Sequence, residues 1–299
     1  MILAYLALIV ALTTQITQAA EPPARPLVGV IRWDAWTEWE KYQDFLQDPQ
    51  WSYRLPFFAK TNEAGRIIIR SDSQEIMDQE IEYASKAGID YWAWVWYDPI
   101  GSTGLDYHMN DALDLYMSST KQDKINHCLI GTEYWLTQRW DEAIRYILEH
   151  FARPNYQRVA GNRPLYYWFD AQNVPAHFGS MEKAQAALKQ LRDASIAAGL
   201  GDPYLVGLTY WPDKCEEAVR QTGFDATGAY CSAGDVKNTE RPYSLLRSQN
   251  QWYWSEWLKR DLPMIPPINT GWDTRPREST LQNPEGDWYT QATPQEIAE

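Results

Sequence analysis

The chain has 299 residues, 44% of them hydrophobic, which is enough for a packed core and excludes a mainly disordered polymer. Asp and Glu number 40 against 27 Lys and Arg, a formal charge of −13 that argues against gripping nucleic acid or anionic membrane through net charge. Three cysteines exclude a disulfide-framework miniprotein.

The first residues read as an address. Residues 2–12 form an apolar run too short to span a bilayer, and Thr17-Gln18-Ala19 offers a small-x-small cleavage signal. A signal peptide over 1–19 is expected, leaving one domain over 20–299 that is secreted or periplasmic, with no stable membrane span. An oxidising compartment permits a Cys215–Cys231 disulfide, while Cys128, in an apolar stretch, reads as a buried thiol.

Strand and helix patterns then alternate. Residues 27–32 (LVGVIR) predict a short buried strand, followed by a long aromatic loop. Residues 73–87 predict a helix, with Asp72 and Glu75 at capping-box spacing and Gly88 as its stop. A second strand is expected over 89–96 and a helix near 109–119; a third strand over 126–132 and a helix near 140–151. A fourth strand follows over 164–169 with a helix over 181–198, then a fifth over 204–210 with a helix near 213–221. A sixth spans 225–230 with a helix near 243–259, and a seventh, weakened by its prolines, spans 263–268. Residues 294–299 look like a further opening helix. Strands separated by helices mean a parallel sheet. The regular spacing, without a linker, favours an α/β fold of the (β/α)8 TIM-barrel type that lacks its last strand and helix in this chain. A doubly wound sheet is the alternative, although no G-x-G-x-x-G follows any strand.

In such a barrel, chemistry gathers where strands end. Strand one is followed by Trp33, Asp34 and Trp36-Thr37-Glu38-Trp39, and strand two by Tyr97 and Asp98. Strand three leads to Glu133, Tyr134 and Trp135, and strand four to Asp170. Trp211 and Asp213 follow strand five, and Asp235 follows strand six. Trp272, Asp273, Arg275 and Arg277 follow strand seven. Carboxylates supply proton transfer and oxocarbenium stabilisation, and aromatics supply stacking surface for sugars. The 16 Trp and 19 Tyr against 7 Phe point the same way, because Trp and Tyr pair an apolar face with a polar tip. For any single Asp, capping of the next helix is an equally ordinary role. Trp92, Trp94 and Trp96 share one face of a strand and read as packing against helices, as do Trp252, Tyr253, Trp254 and Trp257 on their predicted helix.

Glu133 is the expected general acid/base, with Glu38 and Asp273 as candidate second carboxylates. Trp36, Trp39, Tyr97, Tyr134, Trp135, Asp170, Trp272, Arg275 and Arg277 are candidate substrate-binding residues. The two arginines would bind an anionic substituent or else pair with Asp273. Zinc hydrolysis is disfavoured, because none of the four His forms an H-x-H or H-x-x-x-H pair. There is no G-x-S-x-G elbow and no Walker loop. No cofactor is expected, although the loop carboxylates leave room for a Ca2+ ion.

Several of these segments resemble the family 99-like glycoside hydrolase domains, including the WbsX-type proteins assigned to glycosyl transfer. Trp36-Thr37-Glu38-Trp39 resembles that group's FTEW segment. Residues 80–97 (EIEYASKAGIDYWAWVWY) resemble its helix and second strand, and residues 128–141 (CLIGTEYWLTQRWD) its WANENWTRRWDG segment, with Glu133 on the glutamate. Residues 161–166 (GNRPLY) resemble the turn before its fourth strand, Gly223-Phe224-Asp225 its GFD, and residues 270–277 (TGWDTRPR) its GWDNTPR. The resemblance covers roughly residues 28–278 and implies a (β/α)8 barrel acting on glycans. Family 99 proper works within α-mannosidic chains with retention, using two close glutamates and the substrate's own 2-hydroxyl. Here neither Ile130 nor Leu136 supplies a partner to Glu133, and no AWNEW-type segment of a last strand is present. The readings that follow are a hydrolase of mannose-containing or anionic polysaccharide, a glycan-binding barrel without catalysis, and a glycosyltransferase of polysaccharide assembly. Against the last stands the expected signal peptide. A non-functional gene fragment is a further alternative.

Overall fold

A computed structural model of the protein describes residues 25–34, 36, 43–97, 108–132, 135–209, 212–231, 240–273, 275 and 288–299, with backbone alone at 135, 136 and 212–215. In chain order the elements are β1 (Gly29–Arg32), a 3-10 turn (Pro49–Arg54), β2 (Lys60–Thr61), β3 (Ile67–Ile68), α1 (Gln74–Lys86), β4 (Tyr91–Trp96), α2 (Asp111–Ser118), β5 (Asn126–Gly131), α3 (Trp135–Gln138) and α4 (Trp140–Phe151). There follow β6 (Arg158–Val159), β7 (Arg163–Trp168), α5 (Val174–Phe178), α6 (Met181–Ala197), β8 (Tyr204–Thr209), α7 (Pro212–Thr222), β9 (Ala226–Ala229), β10 (Glu240–Arg241), α8 (Tyr243–Trp257), β11 (Met264–Ile265), β12 (Trp288–Tyr289) and α9 (Pro294–Ala298).

The main sheet runs β1-β4-β5-β7-β8-β9-β11 with every neighbouring pair parallel, and β6 folds back antiparallel on β7. Spatial order equals chain order throughout. A doubly wound sheet would reverse direction at a switch point, so the structure takes the barrel winding, as a partial TIM-like barrel of seven strands. Among the described residues no pairing joins β11 to β1. That leaves β1 as an edge strand, and it differs from the expected buried strand. Leu27 and Val28 fall outside it, and Val30 is 39% exposed.

The two faces of the sheet separate by the alternation of side chains along each strand. All six residues of β4 (YWAWVW) are buried. Its tryptophans face the helices as expected: Trp92 and Trp94 pack on Tyr116 of α2, and Trp96 stacks on Tyr146 of α4 with ring centroids 4.6 Å apart. Trp168 of β7 meets Trp140 and Phe178 on the same side. Where a helix comes closest, the strand is Gly207: a Cβ there would lie 2.8 Å from the Cβ of Ala171 and 3.1 Å from Val219. On the concave face Tyr91 and Tyr167 reach past β5 and join hydroxyls at 2.9 Å, both buried. Gly29 leaves room for the Tyr91 ring, since a Cβ there would lie 2.0 Å from its Cζ. Buried Cys128 lies on this face, and loss of water pushes its thiol well up.

The helices dock by periodic apolar stripes. Trp140, Ala143, Ile144, Ile147 and Phe151 form one face of α4, at the spacing an amphipathic helix requires. The cap of α1 differs from the expected one. Ser73, not Asp72, is the N-cap, its hydroxyl accepting from the Ile76 N–H at 3.2 Å, while Asp72 pairs with Arg70. A serine hydroxyl one residue nearer the first turn satisfies the open N–H better than the carboxylate does. A full capping box is formed at α9 instead, between Thr293 and Glu296.

One device recurs at the N-terminal ends of the strands. Helices α1 and α7 end at Gly88 and Gly223, whose φ values of +79° and +99° suit glycine. Each is followed by an apolar residue and an Asp. Asp90 accepts from the Val28 N–H at 2.7 Å and from Arg25. Asp225 accepts from the Leu205 N–H at 2.8 Å and pairs with both Arg163 and Arg192 at 2.7 Å. Each carboxylate therefore ties the start of the preceding strand to the helix that has just ended.

No described helix is long and apolar enough to cross a membrane. Residues 1–24, where the signal peptide is expected, lie outside the described residues, as does the side chain of Cys215.

Candidate functional site

The C-terminal ends of the strands carry an aromatic rim. Alternation along β4 puts Tyr97 on the concave side, opposite the tryptophans. Its backbone is held by Asn110, which accepts from the Tyr97 N–H at 2.9 Å and donates to its carbonyl at 2.8 Å. Its hydroxyl accepts from the indole N–H of Trp33, just past β1, at 2.7 Å. On the other side of the mouth, Phe169 past β7 meets Tyr230 past β9 edge-on, with centroids 4.8 Å apart. Phe169 and Tyr230 were not singled out by motif. The signal that finds them is parity: each continues the concave-facing alternation of its strand by one step.

The carboxylates at the strand ends divide by what they touch. Asp34 is buried and pairs with Arg32 at 2.7 Å, while its other oxygen accepts from the Trp36 N–H and the Ser71 hydroxyl. Arg32 also bonds Glu80 at 2.5 Å and lies over the Trp92 and Trp94 rings. Burial pushes the Glu80 carboxyl up, and the Arg32 guanidinium offsets part of that. This is an internal knot on the helix side of the sheet. Asp170 stands at φ +54° at the start of a 3-10 turn, and its carboxylate makes no capping bond but accepts from the side-chain amides of Gln172 and Asn173. Trp36 packs against the satellite core of Leu46, Phe58 and Ile69, and Trp272 against Tyr243, Leu246 and Tyr289. Both of these loop tryptophans are thus engaged in packing.

Asp273 and Arg275 do come together. Arg275 grips Asp273 bidentately, Nε to Oδ1 and Nη2 to Oδ2 both at 3.0 Å, the pairing that sequence reasoning left open. A second guanidinium, Arg54 from the 3-10 turn after β1, pairs with the same carboxylate and donates to the Arg275 carbonyl. Arg275 lies 3.8 Å over the Trp288 ring, and both arginines flank Trp51. Arg54 is 221 positions from Arg275, and no local pattern marks it.

Glu38, Trp39, Asp98, Glu133, Tyr134, Trp211, Asp235 and Arg277 lie outside the described residues, as do the side chains of Trp135 and Asp213. The backbone leads to Glu133 through buried Thr132, whose hydroxyl donates to the Trp96 carbonyl at 3.1 Å at the end of β4. Among the described residues no group of three or more His, Cys, Asp or Glu is placed to hold a metal ion.

No family model matches the chain, and no curated protein sequence does. Among solved structures it is similar to a GH99 endo-alpha-mannosidase from Bacteroides thetaiotaomicron, at 18% identity and a TM-score of 0.49, over 71% of this chain and 58% of that one. A structure of a GH99 endo-alpha-mannosidase from the same organism in complex with bis-tris-propane gives 20% identity and a TM-score of 0.47, over 73% and 63%. The chain thus spans less than two thirds of the length of these structures.

Proposed function

We propose that the protein is a glycan-processing glycoside hydrolase of the family 99-like kind, acting on mannose-containing or anionic polysaccharide outside the cytoplasm. The observation that carries the reading is the rim itself. Seven parallel strands in barrel order bring Trp33, Tyr97, Phe169 and Tyr230 to the mouth where βα loops meet. β5 ends at Gly131 at the same end of the sheet, and Glu133 follows it by two positions in the sequence. Aromatic walls of this kind stack on sugar faces, and a carboxyl between them loses water, which raises its pKa toward that of a general acid.

In this reading Glu133 is the acid/base. Glu38 is the preferred second carboxylate, because both oxygens of Asp273 are already held by arginines. Tyr134, Trp135 and Trp39 extend the stacking surface. The deciding experiment is Glu133→Gln, assayed on a panel of α-mannans and acidic polysaccharides with near-UV circular dichroism as the fold control. Turnover should vanish while the folded spectrum persists. Full activity in that variant refutes the assignment.

A further inference from the structure

We propose that Arg54 and Arg275, gathered around Asp273, form a subsite for an oxyanion carried by the glycan, a uronate carboxylate or a sulfate ester. The inference rests on the hydrolase reading only for the sugar that bears the group. Capture of the anion is a separate property of the cluster.

The first support is charge. Two guanidinium groups share one carboxylate, so the cluster of these three side chains keeps one positive charge. A further acid among the described residues at the cluster, Glu240, is engaged by the Trp288 indole N–H at 3.2 Å and has Arg241 beside it in the chain, while distant acids are screened over a Debye length of about 8 Å at physiological ionic strength. The second is donor geometry. Asp273 takes Nε and one Nη of Arg275 and one Nη of Arg54, and the Arg275 carbonyl takes the other Nη of Arg54. Each guanidinium has five N–H groups, so donors remain on both planar forks. A fork of that kind matches carboxylate and sulfate oxygens two at a time. The third is access and rigidity. The side chains of Arg54 and Arg275 are 24% and 28% exposed, reachable but not loose. Trp51 lies between them, Tyr53 backs Arg54 and Trp288 backs Arg275, and these rings fix the guanidinium planes. The rings also offer apolar surface beside the charge, which a sugar ring needs and a free inorganic ion does not.

The position is suited to a glycan running across the mouth. Arg54 belongs to the segment after the first strand, and Asp273 and Arg275 to the segment after the last one in the sheet. The cluster therefore bridges the segments that follow β1 and β11, the two outermost strands of the described sheet, on the same end of the sheet as the aromatic rim.

The test is calorimetric titration of the whole chain with glucuronate, glucose 6-sulfate, unmodified glucose and inorganic sulfate, repeated on Arg54→Gln and Arg275→Lys. The charged sugars should bind and glucose should not. Either substitution should weaken the charged sugars by roughly tenfold or more, the usual effect of losing a charge-assisted hydrogen bond. A preference between the first two ligands assigns carboxylate or sulfate ester. Equal binding of glucose and the charged sugars overturns the proposal, as does no binding of either, or affinity unchanged in both variants. Tight binding of inorganic sulfate without the sugars also overturns it, because the rings would then have no role. If Arg54→Gln loses its folded near-UV spectrum, Arg275→Lys decides, since it keeps the charge and removes the fork. Loss of anion binding leaves a neutral-mannan hydrolase standing, whereas loss of turnover in Glu133→Gln says nothing about this subsite, so the two failures are distinguishable.

Discussion

Lowering the pH from 7 to 5 should destabilise this protein through two buried histidines. His127 on β5 and His150 on α4 face each other, Nε2 to Nδ1, at 3.1 Å, both almost without solvent exposure. One nitrogen must donate and the other accept, so the bond is lost when both rings are protonated, and burial opposes even a single added charge. A proton added to the accepting nitrogen would point two N–H groups at one another. Among the described residues no carboxylate stabilises a charged ring: Tyr116, Tyr146 and Tyr156 pack on the pair, Arg153 adds a nearby cation, and the Asn155 backbone alone favours a charged His127. Burial first, and then the neighbouring His150 and Arg153, lowers His127 to about 3; burial and then Arg153 lower His150 to about 4. In the unfolded chain each histidine protonates near pH 6.5.

Because both folded values are depressed, the unfolded state binds protons that the folded state refuses. The stabilisation is fully present above pH 6.5 and is lost as pH falls below it, at up to about 1.4 kcal/mol per pH unit for each ring. Summed from pH 7 to 5, the pair removes about 4 kcal/mol, a large part of the stability of an ordinary domain. Urea unfolding followed by tryptophan fluorescence at pH 7, 6 and 5 measures the slope. His150→Phe, which keeps a ring beside Tyr146 and His127, should cut this histidine contribution roughly in half. The carboxylates contribute equally to both proteins and drop out of the comparison. An identical pH dependence in wild type and variant would refute the reasoning, because it would mean that the rings protonate in place.

Two further predictions concern the scaffold. Asp225→Asn should cost on the order of 1–3 kcal/mol, seen as a lower urea midpoint at unchanged slope, because it leaves Arg163 and Arg192 with Asp202 as their one remaining shared carboxylate and weakens the bond to the Leu205 N–H; a midpoint within error of wild type counts against that clamp. Gly207→Ala should destabilise by about 1–3 kcal/mol through its collision with Ala171 and Val219, and a thermal melt without a shift would mean that the helix beside β8 can retreat.

The elements legible from sequence were those with a strong period. The stripe of α4 is set by its apolar spacing, and the predicted bounds of 140–151 match the helix. Tertiary burial carried β4, β5, β7 and β8, whose apolar stretches (YWAWVW, CLIG, PLYYW and YLVGL) read as strands in a chain that alternates with helices. The long segment after β1 was not legible. Its 3-10 turn and the small β2–β3 hairpin are held by side-chain contacts such as Gln47 to the backbone of Ile67, which leave no period in the sequence. The same holds for the β10–β12 pair, two residues long and brought together from distant segments. At the site, sequence reasoning found Tyr97, Asp273 and Arg275 because each follows a strand. It missed Arg54, because a partner 221 residues away is fixed only by the winding of the sheet.

The segments that carry the family resemblance divide in the same way. Gly88-Ile89-Asp90, Gly223-Phe224-Asp225 and the arginine of residues 161–166 serve the N-terminal ends of the strands: positive-φ glycines end helices, and Asp90, Asp225 and Arg163 tie strand starts to what precedes them. In a barrel the N-terminal face governs stability, while chemistry belongs to the opposite face. Retaining those residues therefore argues for the winding and is silent on the reaction. The proposed reaction belongs to the other end, where Trp33 and Tyr97 meet on one side, Phe169 and Tyr230 meet on the other, and Glu133 follows β5 by two positions in the sequence. Under the proposed function, Glu133→Gln is therefore the test of the reaction, and Asp225→Asn, at the opposite end of the strands, is the test of the winding.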